Sequence, residues 1–162
     1  PFTFIKRILQ PLFTALLTSS SATTLPVSMI AAEKELGVDR AKASFILPLG
    51  ATANMDGTAL FEGIAAIYLA YMFGIDLGST EIITVFLISM LSSIGAPGMP
   101  SGSMAGMQLV LLAVGIPLEA IALLLLIERP LDTFRTAVNV EGDLAGCLVV
   151  EHFISGSKRA TS

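Results

Sequence analysis

The stretch ERPLDTFRTAVNVEGD, residues 128–143, follows directly on the apolar run AIALLLLI (120–127) and places six charged side chains within sixteen residues. On a helix, at about 100° per residue, the main polar groups share one stripe about 100° wide. They are Glu128, Asp132, Arg135, Thr136, Asn139 and Asp143. Ionisable groups next to so apolar a sequence are costly and by default mark a functional site. The stretch therefore predicts a helix that turns polar groups toward an interior site.

The composition favours an all-α membrane protein. The chain has 162 residues, of which 54% are hydrophobic and 14% charged, and its mean hydropathy is +0.82. Soluble domains carry about 25% charged residues. A single cysteine, Cys147, excludes an internal disulfide and a multi-cysteine metal site. The net charge of −4 and the lack of a basic run exclude a nucleic-acid partner.

The positive charges predict the topology. Apart from Arg129 and Arg135 they lie in three segments, 6–7, 34–42 and 158–159. Positive segments tend to stay cytoplasmic, and the turns without positive charge then face outward. Two stretches, 8–33 and 82–114, thus begin and end on the same side of the membrane.

Both of these stretches contain helix-breaking sequence, TSSSATTLP (18–26) and SSIGAPGMPSGS (92–103). Pro and Gly end helices, and Ser and Thr can satisfy the backbone groups that are freed. We therefore predict two re-entrant helical hairpins, each followed by a transmembrane helix, in an inverted repeat. A helical bundle with small-residue packing faces is the alternative.

A second motif, NMDGT (54–58), lies within the apolar stretch 48–63. Gly and Asp weaken a helix there, so we predict a local unwinding that exposes carbonyls to a cation. Met55 either covers a ligand or simply packs. Glu62 is either a proton-binding group or a satisfied interior acid.

The residue types on the polar stripe suggest roles. Arg135 offers a planar fork that grips a carboxylate, and Asp132 can take an ammonium. Asn139 and Asp143 supply hard oxygens that suit a small cation such as sodium. Together they describe a ligand with an amine and an extra carboxylate, carried with a cation. The alternative is a salt-bridge network that only joins helices.

Four motifs in order, SSSATTLP, NMDGT, SIGAPGMPSG and DTFRTAVNVEGD, resemble the glutamate transporter homologue family of dicarboxylate/amino acid:cation symporters over essentially the whole chain. The resemblance implies the C-terminal part of a transport domain that works by an elevator-like slide in a homotrimer. Its implied parts are a first hairpin (1–35), a broken span (42–74), a second hairpin acting as gate (79–114), a last span (118–154) and a cytoplasmic tail (155–162). By the same resemblance, we expect the N-terminal scaffold spans to lie outside this chain.

The resemblance also implies the site residues. Together with Met55 from the NMDGT motif, the expected substrate-binding residues are Ser21, Thr58, Met99, Ser103, Asp132, Arg135, Thr136 and Asn139. Of these, Asp132 should hold the amino group and Arg135 the side-chain carboxylate. The expected sodium-binding residues are Gly50, Asn54, Asn139 and Asp143 in one site, Thr52, Ser93, Ile94 and Ala96 in a second, and Asn54 and Asp56 in a third. Glu62 matches a position where proton-coupled members carry Glu.

The chain departs from the family pattern at three positions. Ser19 and Thr133 stand where different members carry an additional arginine, and Glu128 stands where the family usually has Asp. These changes bear on how Arg135 is placed.

We therefore expect a symporter that couples sodium, protons or both to the uptake of aspartate or glutamate, with C4-dicarboxylates or cystine as alternative substrates. We expect it in the plasma membrane, the inner membrane if the host is bacterial. An intramembrane enzyme using Ser101 or Ser103 would need a base nearby, but His152 lies far along the chain, so we predict no enzyme. A channel or structural bundle is the other class. The chain starts at Pro1 without an initiator Met or a signal-peptide pattern, and we expect it to be a piece of a longer protein.

Overall fold

The computed structural model describes residues 2–160, with side chains described up to residue 154. Every regular element in this part of the chain is a helix, which confirms the expected fold class at the all-α level. The elements are α1 (Phe2–Arg7), α2 (Leu9–Thr18), α3 (Ser21–Lys34), α4 (Arg40–Ala53), α5 (Asp56–Met72), α6 (Ser79–Ser93), α7 (Ser103–Ala113), a 3₁₀ turn (Leu118–Ala120) and α8 (Ile121–Ala160). Helix α8 thus continues into the segment 155–160 that we expected to be a tail.

The first break in the helices lies at Ser19 and Ser20, within the stretch 18–26. Ser19 has a left-handed φ of +50°, and its N–H caps α2 by donating to Ala15 O at 2.8 Å. The Ser20 hydroxyl accepts from the N–H of Thr23 at 3.2 Å and so caps α3. Pro26 lies inside α3. The interruption is therefore only two residues long, and the proline does not end the helix.

The second break falls inside NMDGT, as predicted. Helix α4 ends at Ala53 and α5 begins at Asp56, so Asn54 and Met55 have non-helical backbone. The N–H of Asn54 still donates to Gly50 O at 2.8 Å. The unwound turn therefore presents its side chains between two helix ends.

The third break is the longest. Helix α6 ends at Ser93 and α7 begins at Ser103. We call the nine residues between them, 94–102, the gate loop, after the role that the resemblance implies for this segment. Gly95 and Ser101 have positive φ angles of +99° and +62°. Glycine adopts such angles readily, whereas serine does so at a cost.

Two apolar clusters form the core, and α8 contributes to both. The first contains Ala65, Ala66, Leu69, Ala70, Val85, Met107, Val110, Leu111, Ile116, Ala120 and Leu124. The second contains Ile8, Ala15, Ala32, Val38, Ala43, Leu47, Val140, Leu144 and Cys147. The middle of α8, residues 128–139, lies between them and carries the polar stripe. The packing therefore holds the two ends of α8 and leaves its polar middle for the site.

The resemblance implies a broken membrane span at 42–74 and a last span at 118–154. Among residues 2–160, none of the helices combines the length and the hydropathy that a membrane crossing requires. The stretch 42–74 is divided between α4 and α5, and the charged groups of 128–143 lie within α8.

Candidate functional site

A small polar cavity lies where the three breaks meet the middle of α8. Its volume is about 10 Å³, roughly the space for one water molecule. All nine residues expected to bind substrate line it. The lining is Ser19, Ser21, Met55, Thr58, Ala96, Pro97, Gly98, Met99, Gly102, Ser103, Asp132, Arg135, Thr136 and Asn139. The fold therefore brings together residues that are more than a hundred positions apart in sequence.

One wall of the cavity is a buried charge cluster on α8. Arg135 donates to Asp132, one turn away, and to Glu128 Oε1 at 3.3 Å. All three side chains are about 4% exposed. The guanidinium carbon lies 4.5 Å from the centroid of the Phe61 ring, which is a cation–π contact. Within the described part of the chain, Arg135 Nη1 has no hydrogen-bond partner.

The gate loop is joined to the same cluster through Ser101. Its backbone N–H donates to Asp132 Oδ2 at 3.0 Å, and its hydroxyl donates to Glu128 Oε2 at 3.1 Å. Both carboxylates are therefore shared between Arg135 and the gate loop.

The first helix break and the gate loop contact each other beside the cavity. The carbonyl of Gly98 accepts from the Ser20 hydroxyl at 2.8 Å and from the N–H of Ala22 at 3.1 Å. A β-carbon at Gly98 would lie 2.8 Å from Ala51 O, so only glycine allows this approach. This contact brings two segments that line the cavity together on one side of it.

Asn139 connects α8 to the unwound turn of NMDGT. Its Oδ1 accepts from the N–H of Gly57 at 2.8 Å. Its Nδ2 lies 3.2 Å from Met55 Sδ and 3.3 Å from Thr58 Oγ1. The amide therefore fixes Met55 and Thr58 on the cavity wall, while Thr136 turns its hydroxyl to Asp132 O at 2.8 Å.

The first group of expected sodium ligands also comes together. Asp143 is buried, and its Oδ1 accepts from Asn54 Nδ2 at 3.1 Å. A β-carbon at Gly50 would lie 2.5 Å from the same oxygen, so the space beside this carboxylate exists because residue 50 is glycine. No lysine or arginine of the described part pairs with Asp143. A buried carboxylate that pairs with no basic side chain in the described part of the chain, close to the backbone of Gly50, fits a hard cation such as sodium.

The second group lies at the base of the gate loop. The N–H of Gly95 donates to Thr52 O at 2.9 Å, and the N–H of Ala96 donates to Ser93 O at 3.1 Å. The backbones of 52 and of 93–96 are thus neighbours, whereas the Ile94 side chain is 59% exposed.

The two side chains of the third group meet at the backbone of α8. A β-carbon at Gly142 would lie 2.8 Å from Asn54 Nδ2 and 2.9 Å from Asp56 Oδ2. Among the described residues, no three His, Cys, Asp or Glu side chains form a metal-binding group. Cation binding here would therefore rely on amide and backbone oxygens as well as on carboxylates.

Glu62 lies behind the cavity, not in its wall. The side chain is 0% exposed, and its Oε2 accepts from the Ser92 hydroxyl. Its other oxygen, Oε1, has no hydrogen-bond partner in the described part of the chain. A buried carboxyl with one free oxygen is well suited to hold a proton.

Several site residues were not predicted from the sequence. Glu128 was expected on the polar stripe but was not among the expected binding residues. Ser20, Phe61, Gly98 and Ser101 act through contacts with distant segments, which nothing in their local sequence indicates.

Comparison with known proteins identifies the family of this chain. The profile described as "Sodium:dicarboxylate symporter family" matches residues 1–153. The chain is 49% identical to excitatory amino acid transporter 2 of Homo sapiens over 152 residues, which is 94% of this chain and 26% of that protein. It is 44% identical to an excitatory amino acid transporter of Caenorhabditis elegans over 153 residues, 94% of this chain and 30% of that protein.

The chain thus spans between a quarter and a third of the length of these relatives. Its similarity to them is nevertheless continuous over nearly all of its own residues. Since the family profile matches the chain over almost its whole length, the chain belongs to the sodium:dicarboxylate symporter family.

Proposed function

We propose that this chain is the C-terminal transport part of a symporter that couples sodium to the uptake of acidic amino acids. Its family is one of sodium-coupled transporters and not of enzymes, so Ser101 and Ser103 need no role as nucleophiles. The named relatives are excitatory amino acid transporters, which supports a substrate of the aspartate or glutamate type.

The observation that carries the proposal is the state of Arg135. Its buried guanidinium lies at the wall of the cavity, and one nitrogen, Nη1, has no partner among the described residues. Because an unsatisfied buried donor costs about 1–3 kcal/mol, more when it is charged, the site favours a ligand that brings an acceptor. The side-chain carboxylate of aspartate or glutamate supplies such an acceptor. Asp132 lines the same cavity and can bind the amino group.

The remaining lining residues complete the substrate site. Ser21 at the start of α3 and Thr58 in α5 offer hydroxyls, and Thr136 and Asn139 add polar groups from α8. Met55 lines the site from the unwound turn, whereas Met99 and Ser103 come from the gate loop and the start of α7. In our account these last two residues cover the bound amino acid.

The size of the cavity implies movement. A volume of about 10 Å³ admits one water molecule and not an amino acid. The gate loop and the tip of the first hairpin cover the cavity. A hydrogen bond from the Ser20 hydroxyl to Gly98 O joins them. Substrate therefore binds after the gate loop moves away from α8, and the loop closes over it again.

For the coupling ions, we assign one sodium to Gly50, Asn54, Asn139 and Asp143, a second to the backbone of Thr52, Ser93, Ile94 and Ala96, and part of a third to Asn54 and Asp56. The cation-free carboxylate of Asp143 beside Gly50 supports the first site. The second would form only while the gate loop is closed. Sodium and substrate would then bind together.

Proton coupling is the second candidate. The buried Glu62, with Oε1 unpartnered, supports a role as proton carrier. Its position behind the cavity lets it change charge without touching the substrate.

The topology completes the proposal. We assign the first hairpin to 1–35, the broken span to 42–74, the gate hairpin to 79–114, the last span to 118–154 and the cytoplasmic tail to 155–162. Each half would be a re-entrant hairpin followed by a span, related as an inverted repeat. The scaffold and the homotrimer contacts would lie in other parts of the protein, with transport by an elevator-like slide in the plasma membrane. The named relatives are animal proteins and give no support to a bacterial inner membrane.

Uptake of labelled L-aspartate by the full-length protein in proteoliposomes tests the proposal. We expect uptake that is driven by an inward sodium gradient at fixed pH and that glutamate, but not succinate, inhibits. Competition by succinate would indicate C4-dicarboxylates, and uptake of cystine alone would keep the fold and change the substrate. An absence of uptake of all three would contradict a symporter of this kind.

A further inference from the structure

We propose that Ser101 is a positioning residue that locks the gate loop against α8 by binding Asp132, the carboxylate that we assign to the substrate amino group, and Glu128, one turn before it. This inference rests on the proposed function, because it assigns Asp132 to the substrate amino group. Ser101 itself does not line the cavity. It acts on the site through Asp132 and Glu128.

The two bonds of Ser101 use two different oxygen acceptors on α8. Its N–H reaches Asp132 Oδ2 at 3.0 Å, and its hydroxyl reaches Glu128 Oε2 at 3.1 Å. The remaining oxygens of these carboxylates, Asp132 Oδ1 and Glu128 Oε1, face Arg135. The two carboxylates thus have donors on all of their oxygens, and the N–H of Ser101 binds Asp132 where an ammonium would compete with it.

The backbone of Ser101 supports this reading. Its φ of +62° is one that a non-glycine residue rarely adopts. Such a conformation persists only where the surroundings hold it. The two bonds to buried carboxylates do so here.

Within the described part of the chain, hydrogen bonds join the gate loop to other segments at Gly95, Gly98 and Ser101, and only those of Ser101 go to charged side chains. Gly95 binds Thr52 O, and Gly98 O binds the first hairpin. Neither of these contacts uses a charged side chain. The Ser101 contact does, so an ammonium that binds Asp132 competes with the N–H of Ser101. Occupancy of the site and this closure are therefore alternatives.

This competition has a consequence for the transport cycle. A symporter in net uptake must return empty, with its site closed, whereas exchange of internal for external substrate needs no empty return. Substitution of Ser101 should therefore slow net uptake and leave exchange unchanged. A residue that merely supports the fold would affect both processes alike.

The test compares net uptake with exchange in proteoliposomes of the full-length protein. Net uptake of labelled L-aspartate is measured into empty vesicles and exchange into vesicles preloaded with unlabelled L-aspartate. Ser101→Ala removes the hydroxyl bond to buried Glu128, and a bond to a charged group is worth about a tenfold change in an equilibrium. We expect net uptake to fall about tenfold while exchange stays near wild type.

Two further variants secure the result. Ser101→Gly also lacks the hydroxyl but accommodates the positive φ, so it should show the same loss if alanine is poorly tolerated. Thr84→Ala removes a hydroxyl from α6 that only contacts Thr80 O and should leave the ratio of net uptake to exchange unchanged.

An equal fall in both rates, or no change in either, would overturn the role of Ser101 while wild-type exchange still upheld the proposed function. No L-aspartate exchange by the wild-type protein would overturn the proposed function, and the role of Ser101 with it.

Discussion

Arg135 pairs with Asp132 across a single turn of α8, and both side chains are 4% exposed. With Glu128 as the second partner of Arg135, two carboxylates and one guanidinium leave the cluster with one net negative charge. An acidic amino acid would add a second negative charge to a poorly hydrated site. Coulomb repulsion of this kind is strong where water is excluded, which gives a physical reason for cations to accompany the substrate.

Arg135→Cys should weaken the binding of acidic amino acids by at least about 100-fold, or ~2.7 kcal/mol, because the carboxylate loses its charged partner. Small neutral amino acids should then compete for the site. Competition of labelled L-aspartate uptake by unlabelled amino acids measures both effects. Arg129→Cys, at an exposed neighbour on the same helix, is the matched control and should behave as wild type. Acidic uptake at wild-type affinity in Arg135→Cys would show that this guanidinium does not bind substrate.

Asp143→Asn should raise the sodium concentration needed for half-maximal uptake by about tenfold or more, because the amide keeps the shape of the side chain but not its charge. The affinity for L-aspartate at saturating sodium should change less. Asp76→Asn, which alters an exposed carboxylate in the turn before α6, should change neither quantity. An unaltered sodium requirement in Asp143→Asn would remove this residue from the cation site.

Gly50→Ala should also raise the sodium concentration needed for half-maximal uptake, although it alters no charge. The new β-carbon would lie 2.5 Å from Asp143 Oδ1, so the carboxylate or the backbone of α4 has to shift. Gly146→Ala is the matched control, because nothing lies within 4 Å of a β-carbon there and alanine favours a helix by about 1 kcal/mol. The sodium dependence of uptake is measured for both variants, and we expect a change in Gly50→Ala and none in Gly146→Ala. Equal sodium dependence in the two would mean that the space beside Asp143 is unimportant.

Glu62→Gln should abolish proton movement coupled to uptake, since glutamine has the same shape and binds no proton. The bond with Ser92 can persist in this variant. A pH-sensitive dye inside the vesicles, read during sodium-driven uptake, reports the proton movement. Glu119→Gln changes an exposed carboxylate and should leave the signal intact. A signal of wild-type size in Glu62→Gln would show that another group carries the proton or that the dye responds to leakage.

The parts of the fold that follow local rules could be predicted from the sequence. The polar stripe of 128–143 follows from helical periodicity, and the structure buries Glu128, Asp132 and Arg135 on it. The break at Asn54 and Met55 follows from weak helix formers in an apolar setting. Proline was a less reliable guide, because Pro26 stays inside α3, where packing outweighs the local penalty.

The contacts that close the site could not be predicted in this way. Phe61 reaches Arg135 across 74 positions, which is set by how α5 packs on α8. Ser101 finds Glu128 only after the gate loop folds back on α8. Such contacts depend on tertiary packing, and neither residue has a signature in its own stretch of sequence.

Calorimetric binding of L-aspartate to the purified full-length protein, at several sodium concentrations with choline as the replacing cation, tests the central claim most directly. We predict that the Kd falls steeply as sodium rises, because the cations offset the charge that the substrate adds beside Asp132 and Glu128. A Kd that is the same in sodium and in choline would contradict the coupling of sodium to this site.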